Sequence, residues 1–142
     1  MDDVFETIKK ERGAGKVFAG VNTDAKSVAA LATAFGLRGD ASLYHQVDID
    51  MAKAILVGIL HRDLAYGNRL LSLARAEELA GQVMQRFTVP GIRFLTNGKF
   101  KQGTGAGLVM SHWDPATAST FDTGVLMLGT AESGCVWVAD ED

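Results

Sequence analysis

The sequence predicts a single α+β domain in which N-terminal helices pack on one face of a C-terminal antiparallel sheet. Up to about residue 88, apolar residues recur with the period of amphipathic helices. From about residue 91 to 139, short apolar runs alternate with turn residues, as in strands. Helices followed by strands are typical of the α+β class. The 142 residues match the length of one domain, so we expect residues 1–142 to share one core.

Two helices and a strand are predicted before residue 40. Asp2 or Asp3 can cap the first helix, which stops before Gly13. The segment Lys16 to Val21 is a candidate strand. Residues 22–24 (Asn-Thr-Asp) offer N-caps for the second helix, whose apolar positions have helical spacing up to Gly36.

The next two helices have the clearest ends. The third is expected to begin near Asp48 or Asp50 and to run to about Tyr66. Its segment 54–60 (AILVGIL) is apolar almost all round, which predicts neighbours on several sides. Ser72 can cap the fourth helix, which Pro90 and Gly91 terminate.

The remaining segments are expected to form strands. Asn97-Gly98 is a favoured pair for a type I′ turn, so residues 92–101 are predicted to form a β-hairpin. Three further strands are expected at Leu108 to Trp113, Thr120 to Leu128 and Cys135 to Val138.

Charge is distributed unevenly along the chain. The formal net charge is −3, yet all 14 Lys and Arg residues lie before residue 102. The last 41 residues carry six acids and no Lys or Arg. Because nucleic-acid binding depends on cationic contacts, this segment argues against a nucleic-acid partner. It favours either a solvated acidic end or a docking surface for a basic protein.

Cysteine content and the N-terminus indicate a cytoplasmic protein. Cys135 is the only cysteine, so no intramolecular disulfide can form. The N-terminus opens with acids and has no long apolar run, unlike a signal peptide. The longest apolar stretch is far shorter than the roughly 20 residues that a membrane-spanning helix needs, so we expect no membrane contact.

Three short motifs resemble functional loops without meeting their requirements. The segment 103–107 (GTGAG) precedes a predicted strand, whereas a dinucleotide-binding loop opens a helix. The segment 13–16 (GAGK) is not followed by the Ser or Thr of a phosphate-binding loop. The tripeptide 61–63 (HRD) lies in a predicted helix and has no Asn at the kinase spacing. We therefore interpret all three as structural.

Two kinds of catalytic site were weighed. A small metal-dependent hydrolase would use imidazoles and carboxylates from two clusters, although no spacing matches an established metal-binding motif and no cofactor is predicted. These candidate ligands are His45, Asp48, Asp50, His112 and Asp114. Cys135 could act as a nucleophile, but its alternating CVWV segment indicates a small buried thiol in a strand.

The segment 120–142 (TFDTGVLMLGTAESGCVWVADED) resembles the C-terminal strands and acidic tail of some small cytoplasmic immunity proteins, which neutralise bacterial toxins. The resemblance covers about a sixth of the chain. It implies a non-enzymatic inhibitor that blocks a toxin's active site. An acidic surface with tryptophans suits a basic toxin, although a net charge of −3 is weak for a phosphate mimic.

These observations favour a non-enzymatic protein-binding domain whose partner is a basic protein. Tryptophans beside acids are typical of interface anchors, while the alternative is that both tryptophans belong to the core. The predicted partner-binding residues are Trp113, Asp114, Asp122, Glu132, Asp140, Glu141 and Asp142. A homodimer or other homo-oligomer is a further alternative, which an exposed apolar face on the third helix would favour.

Overall fold

The computed structural model describes residues 3–102 and 108–141. The helices are α1 (Val4–Glu11), α2 (Val28–Ala34), α3 (Ile49–His61) and α4 (Leu73–Phe87), with a short 3-10 turn at Ala41–Leu43. The strands are β1 (Lys16–Asn22), β2 (His45–Val47), β3 (Arg93–Thr96), β4 (Gly98–Gln102), β5 (Leu108–Trp113), β6 (Phe121–Leu128) and β7 (Ser133–Asp140).

Five strands form one antiparallel sheet in the order β1-β7-β6-β3-β2. Strands β6 and β7 lie at its centre, and both are buried along almost their whole length. Strands β4 and β5 form a separate two-stranded sheet. The predicted α+β class is thus confirmed. Among the described residues, no helix has the length and apolar character needed to cross a membrane.

The helices cover both faces of the sheet. Helices α1, α3 and α4 pack on the face that carries Val136 and Val138 of β7. The opposite face carries Cys135 and Trp137 and is covered by α2 with the segment that follows it. The prediction of helices on one face therefore holds for three helices but not for α2. The reason is that β6 and β7 carry apolar side chains on both faces of the sheet, and each face must be shielded from water.

Most helix starts lie where the sequence places them. The side chain of Asp3 caps α1, that of Asp48 caps α3 and that of Ser72 caps α4, each by accepting a hydrogen bond from a backbone amide in the first turn. Helix α2 begins later than predicted, with Ser27 as its cap. The side chain of Asn22 instead closes a turn, since its Oδ1 accepts hydrogen bonds from the backbone amides of Asp24 and Ala25.

Helix α3 ends at His61, five residues before the predicted end at Tyr66. Arg62 has an extended backbone and pairs with Arg69 in an isolated β-bridge. The carboxylate of Asp63 accepts hydrogen bonds from the amides of Tyr66 and Asn68, which closes a tight turn. Such side-chain bonds to the local backbone compete with the helix, which explains the early end.

The predicted hairpin turn at Asn97-Gly98 is wrong. Strand β3 pairs with β2 and β6, whereas β4 pairs with β5, so the chain crosses from one sheet to the other at Asn97. Neither Asn97 nor Gly98 has the positive φ that a type I′ turn requires. Asn97 is buried, and its side-chain amide donates to the carboxylate of Asp122 and to the carbonyl oxygen of Asp114. These distant partners outweigh the local turn preference.

Candidate binding site beside strand β5

Asp122 is part of the core, and the prediction that it contacts a partner is wrong. Its side chain has no exposed surface. Its carboxylate accepts hydrogen bonds from the indole Nε1 of Trp137 at 3.1 Å and the side-chain amide of Asn97 at 2.9 Å. The backbone amides of Ala116 and Thr117 donate to it as well. A buried carboxylate requires such donors, and they leave it no route to solvent.

Asp140 is also buried, so the prediction that it contacts a partner is wrong. Its two oxygens face the guanidinium of Arg12 at 3.0 and 2.8 Å, and Oδ2 also accepts from the amide of Leu64 at 2.8 Å. Burial by itself raises the pKa of Asp140, but the hydrogen bonds from Arg12 and Leu64, with the charge of Arg12, hold this pKa below its usual value. Asp140 therefore joins the start of the chain to its last strand.

Glu132 lies at the far end of the sheet from the other predicted contacts. It stands in the turn between β6 and β7, whereas Phe121 and Asp140 pair at the opposite end of these eight-residue strands. Eight residues of strand span about 25 Å. Glu132 forms a salt bridge with Arg86 at 2.8 Å, and this hydrogen bond lowers its pKa. It cannot share one small surface with the residues near Phe121.

Three predicted contact residues remain together at the surface. Trp113 is half-buried and packs against Phe121 with 5.4 Å between ring centroids. Asp114 follows it, with 56% of its side chain exposed. Glu141 is exposed, and its carboxylate accepts a 2.6 Å hydrogen bond from the hydroxyl of Thr120, which lowers its pKa. Trp113 and Glu141 thus lie against adjacent residues at the start of β6. Asp142 lies outside the described residues, as does the glycine-rich segment 103–107.

The five candidate metal ligands do not form a metal centre. In the described ranges 3–102 and 108–141, no group of three or more His, Cys, Asp and Glu side chains could hold an ion. Asp48 caps α3, and His45 lies in β2. His112 and Asp114 approach each other to 3.9 Å at the surface. The structure thus does not bring the two clusters together, because they lie on different elements.

Cys135 is a buried thiol, as its strand pattern predicts. It has no exposed surface, and burial raises its pKa strongly. Its Sγ lies 3.6 Å from the carbonyl oxygen of Phe18. A thiol in this setting stays protonated and is a poor nucleophile.

An apolar cavity of about 230 Å³ opens beside Trp113. Its walls come from α3, the loop 62–67, the β4–β5 hairpin and the start of β6. Phe100 and Met110, which pair across the hairpin, line one wall. Gly58 of α3 lines the wall on the other side, where an added Cβ would lie 3.8 Å from the carbonyl oxygen of Leu108. The lack of a side chain at Gly58 thus leaves room between helix and hairpin.

The loop that closes the cavity is held by polar contacts. The bond from Leu64 to Asp140 ties it to β7, and the carboxylate of Asp63 closes its turn. Arg62 donates from its guanidinium to the carbonyl oxygen of Gly67 at 2.8 Å. These contacts hold the loop 62–67 in place beside the cavity.

His61 is the buried titratable side chain in the described cavity wall, with 7% exposure. Its Nδ1 lies 2.8 Å from the carbonyl oxygen of Leu71. A carbonyl oxygen only accepts, so Nδ1 carries the proton in this bond, and the neutral ring leaves Nε2 as an acceptor. The sequence pattern indicates only that His61 lies near the end of a buried helix. The signal for a cavity was Gly58, an isolated glycine within an apolar helical segment.

Comparison of the chain with protein families, with curated proteins and with solved structures found no match.

Proposed function

We propose that this chain is a non-enzymatic protein-binding domain that contacts its partner through Trp113, Asp114 and Glu141. The observation that carries the proposal is that these three residues stay accessible and lie around the start of β6. A half-buried tryptophan with exposed acids in neighbouring segments suits an interface anchor. The proposed surface is smaller than the one predicted from the sequence, since Asp122 and Asp140 are internal.

The proposed partner is a basic protein. Asp114 and Glu141 are exposed acids, and a positively charged surface would complement them. Together with the resemblance of segment 120–142 to immunity proteins, this complementarity supports an inhibitor of a basic bacterial toxin as the specific form of the proposal. We propose a cytoplasmic location, which the presence of a single cysteine supports.

The alternatives receive less support. A hydrolase that uses the five candidate metal ligands lacks a group of three ligands in the described parts of the chain. A homo-oligomer built on α3 would need an exposed apolar face there, but most of the large apolar side chains of that helix are buried. Ile49 is 42% exposed, but it is the first residue of α3 and does not by itself form an apolar face.

The test is affinity capture with a matched pair of charge variants. The first variant combines Asp114→Asn with Glu141→Gln. The second combines Asp24→Asn with Glu77→Gln, which changes the net charge equally at two other exposed acids. Each protein captures partners from a lysate of the native host, and bound proteins are quantified by mass spectrometry at low and high salt.

A partner that binds the unmodified protein and the second variant, but not the first, would support the proposed surface. Binding to the surface acids should also weaken at high salt, because salt screens exposed charges. If both variants still capture the partner as well as the unmodified protein does, the assignment of the surface is contradicted. If both variants lose the partner to the same extent, binding depends on net charge alone.

A further inference from the structure

The cavity beside α3 has the size and lining of a small-molecule site. Its volume is about 230 Å³, and its walls combine Phe100, Met110 and Trp113 with the small residues Ala54 and Gly58. An apolar cavity of about 150 Å³ is large enough to bind benzene. The cavity therefore has room for a bicyclic ring system but not for a helix or a strand of a partner protein.

The polar groups in its wall restrict what such a molecule can offer. The side chains of Arg62 and Asp63 are already bonded within the loop 62–67 and its neighbour Asn68. The indole Nε1 of Trp113 is covered by its neighbours and has no hydrogen-bond partner within residues 3–102 and 108–141. The Nδ1 of His61 is bonded to the carbonyl oxygen of Leu71, so its Nε2 is the ring nitrogen that remains as a hydrogen-bond acceptor.

We infer that the cavity binds a small, mostly apolar ring compound with one hydroxyl group, which donates a hydrogen bond to Nε2 of His61. The apolar body would bury its surface against the hairpin and α3, which supplies affinity. The single hydroxyl supplies specificity, because a ligand without it leaves the acceptor of His61 unpaired in an apolar setting. This site shares Trp113 with the proposed protein contact, whereas Asp114 and Glu141 do not line the cavity.

Two probes of the same shape test this inference. The first is 2-naphthol, and the second is 2-methylnaphthalene, in which a methyl group replaces the hydroxyl. Their dissociation constants are measured by titration in one common buffer, with protein NMR shifts as the readout. We expect 2-naphthol to bind about tenfold more tightly, which is the usual effect of one buried hydrogen bond.

Three variants complete the test. His61→Asn can keep the bond to Leu71 through its side-chain amide but lacks an acceptor at the position of Nε2, so the two probes should bind it about equally. Ala54→Leu fills the cavity from α3 and should abolish binding of both probes. Ala74→Leu makes the same change at an exposed position of α4 and should bind both like the unmodified protein.

The inference is overturned by any of three results: neither probe binds the unmodified protein, both bind with equal affinity, or binding survives Ala54→Leu. If His61→Asn does not fold, the hydrogen bond is tested instead by measuring the imidazole 15N chemical shifts of the unmodified protein. In that case the Nε2 resonance of His61 should move with 2-naphthol and stay in place with 2-methylnaphthalene, and an unmoved resonance would contradict the hydrogen bond. If the unmodified protein captures no partner, the proposed function is refuted, but the binding of the two probes to the cavity is unaffected.

Discussion

Arg12 and Asp140 form a bidentate ion pair between residues 128 positions apart in the sequence. The side chain of Arg12 is fully buried, and that of Asp140 is 5% exposed. Arg12 also donates to the carbonyl oxygens of Ile59 and Ala14. The pair therefore joins α1, α3 and β7 at one point, next to the loop that closes the cavity.

Replacing Arg12 should destabilise the fold strongly. Arg12→Met leaves the carboxylate of Asp140 buried without its cation, which typically costs about 3–5 kcal/mol. Urea denaturation monitored by circular dichroism measures the free energy of unfolding. The control is Glu132→Gln, which breaks the more exposed salt bridge with Arg86 and should cost less than about 1 kcal/mol. Equal losses in the two variants would mean that burial of the Arg12 pair has no energetic consequence.

The contribution of Asp140 should depend on pH in a defined direction. Its pKa is lowered in the folded protein, so the stabilisation is present above the unfolded pKa of about 3.9 and is lost as pH falls through the folded value. We expect the difference in unfolding free energy between the unmodified protein and Asp140→Asn to be constant near neutral pH and to shrink below about pH 4. Urea titrations from pH 7 to 2.5 measure this difference. A difference that grows as pH falls would have the wrong sign.

Loss of the Asp122 carboxylate should disrupt the core rather than a partner contact. Asp122→Ala leaves the buried donors of Trp137 and Asn97 without their acceptor, so we expect a loss of more than about 3 kcal/mol in unfolding free energy. Thr117→Val removes a hydroxyl donor to this carboxylate and should cost only about 1 kcal/mol. Urea denaturation compares the two. Native stability of Asp122→Ala would show that these hydrogen bonds are dispensable.

The two tryptophans should respond differently to replacement. Trp137 has no exposed surface and donates to Asp122, so Trp137→Phe should lower the unfolding free energy by at least about 2 kcal/mol. The Nε1 of Trp113 is buried and has no partner in the described part of the chain, so Trp113→Phe removes an unsatisfied donor and should change stability by less than about 1 kcal/mol. Urea denaturation of each variant, with the remaining tryptophan as the fluorophore, tests this order. A larger loss at Trp113 would refute it.

Cys135 should be unreactive in the folded protein. Its thiol has no exposed surface, and burial raises its pKa, so little thiolate is present at neutral pH. A thiol-specific chromogenic disulfide reagent should label Cys135 only as fast as the protein unfolds, and labelling in urea should be complete. Rapid labelling of the native protein would contradict the buried position and would reopen a nucleophilic role.

Local features of this protein could be predicted from the sequence because their physical causes are local. The caps Asp3, Asp48 and Ser72 bond to amides two or three residues away, and these bonds form wherever the helix forms. The faces of β7 follow from the alternation of its side chains, so the burial of Cys135 and Trp137 on one side was also predictable. The α+β class rests on these same periodicities.

The candidate site depended on contacts that no local pattern encodes. Asn97-Gly98 has the composition of a hairpin turn, yet Asn97 joins two different sheets, because Asp122 and Asp114 supply its hydrogen bonds from distant positions. Asp122 and Asp140 look like surface acids in the sequence, but Trp137 and Arg12 make their burial favourable. The cavity likewise exists only where the β4–β5 hairpin meets α3. The sequence alone determined the helix caps, the strand faces and the fold class, while tertiary structure decided which charges are internal, because the energy of a buried charge depends on partners brought together by folding.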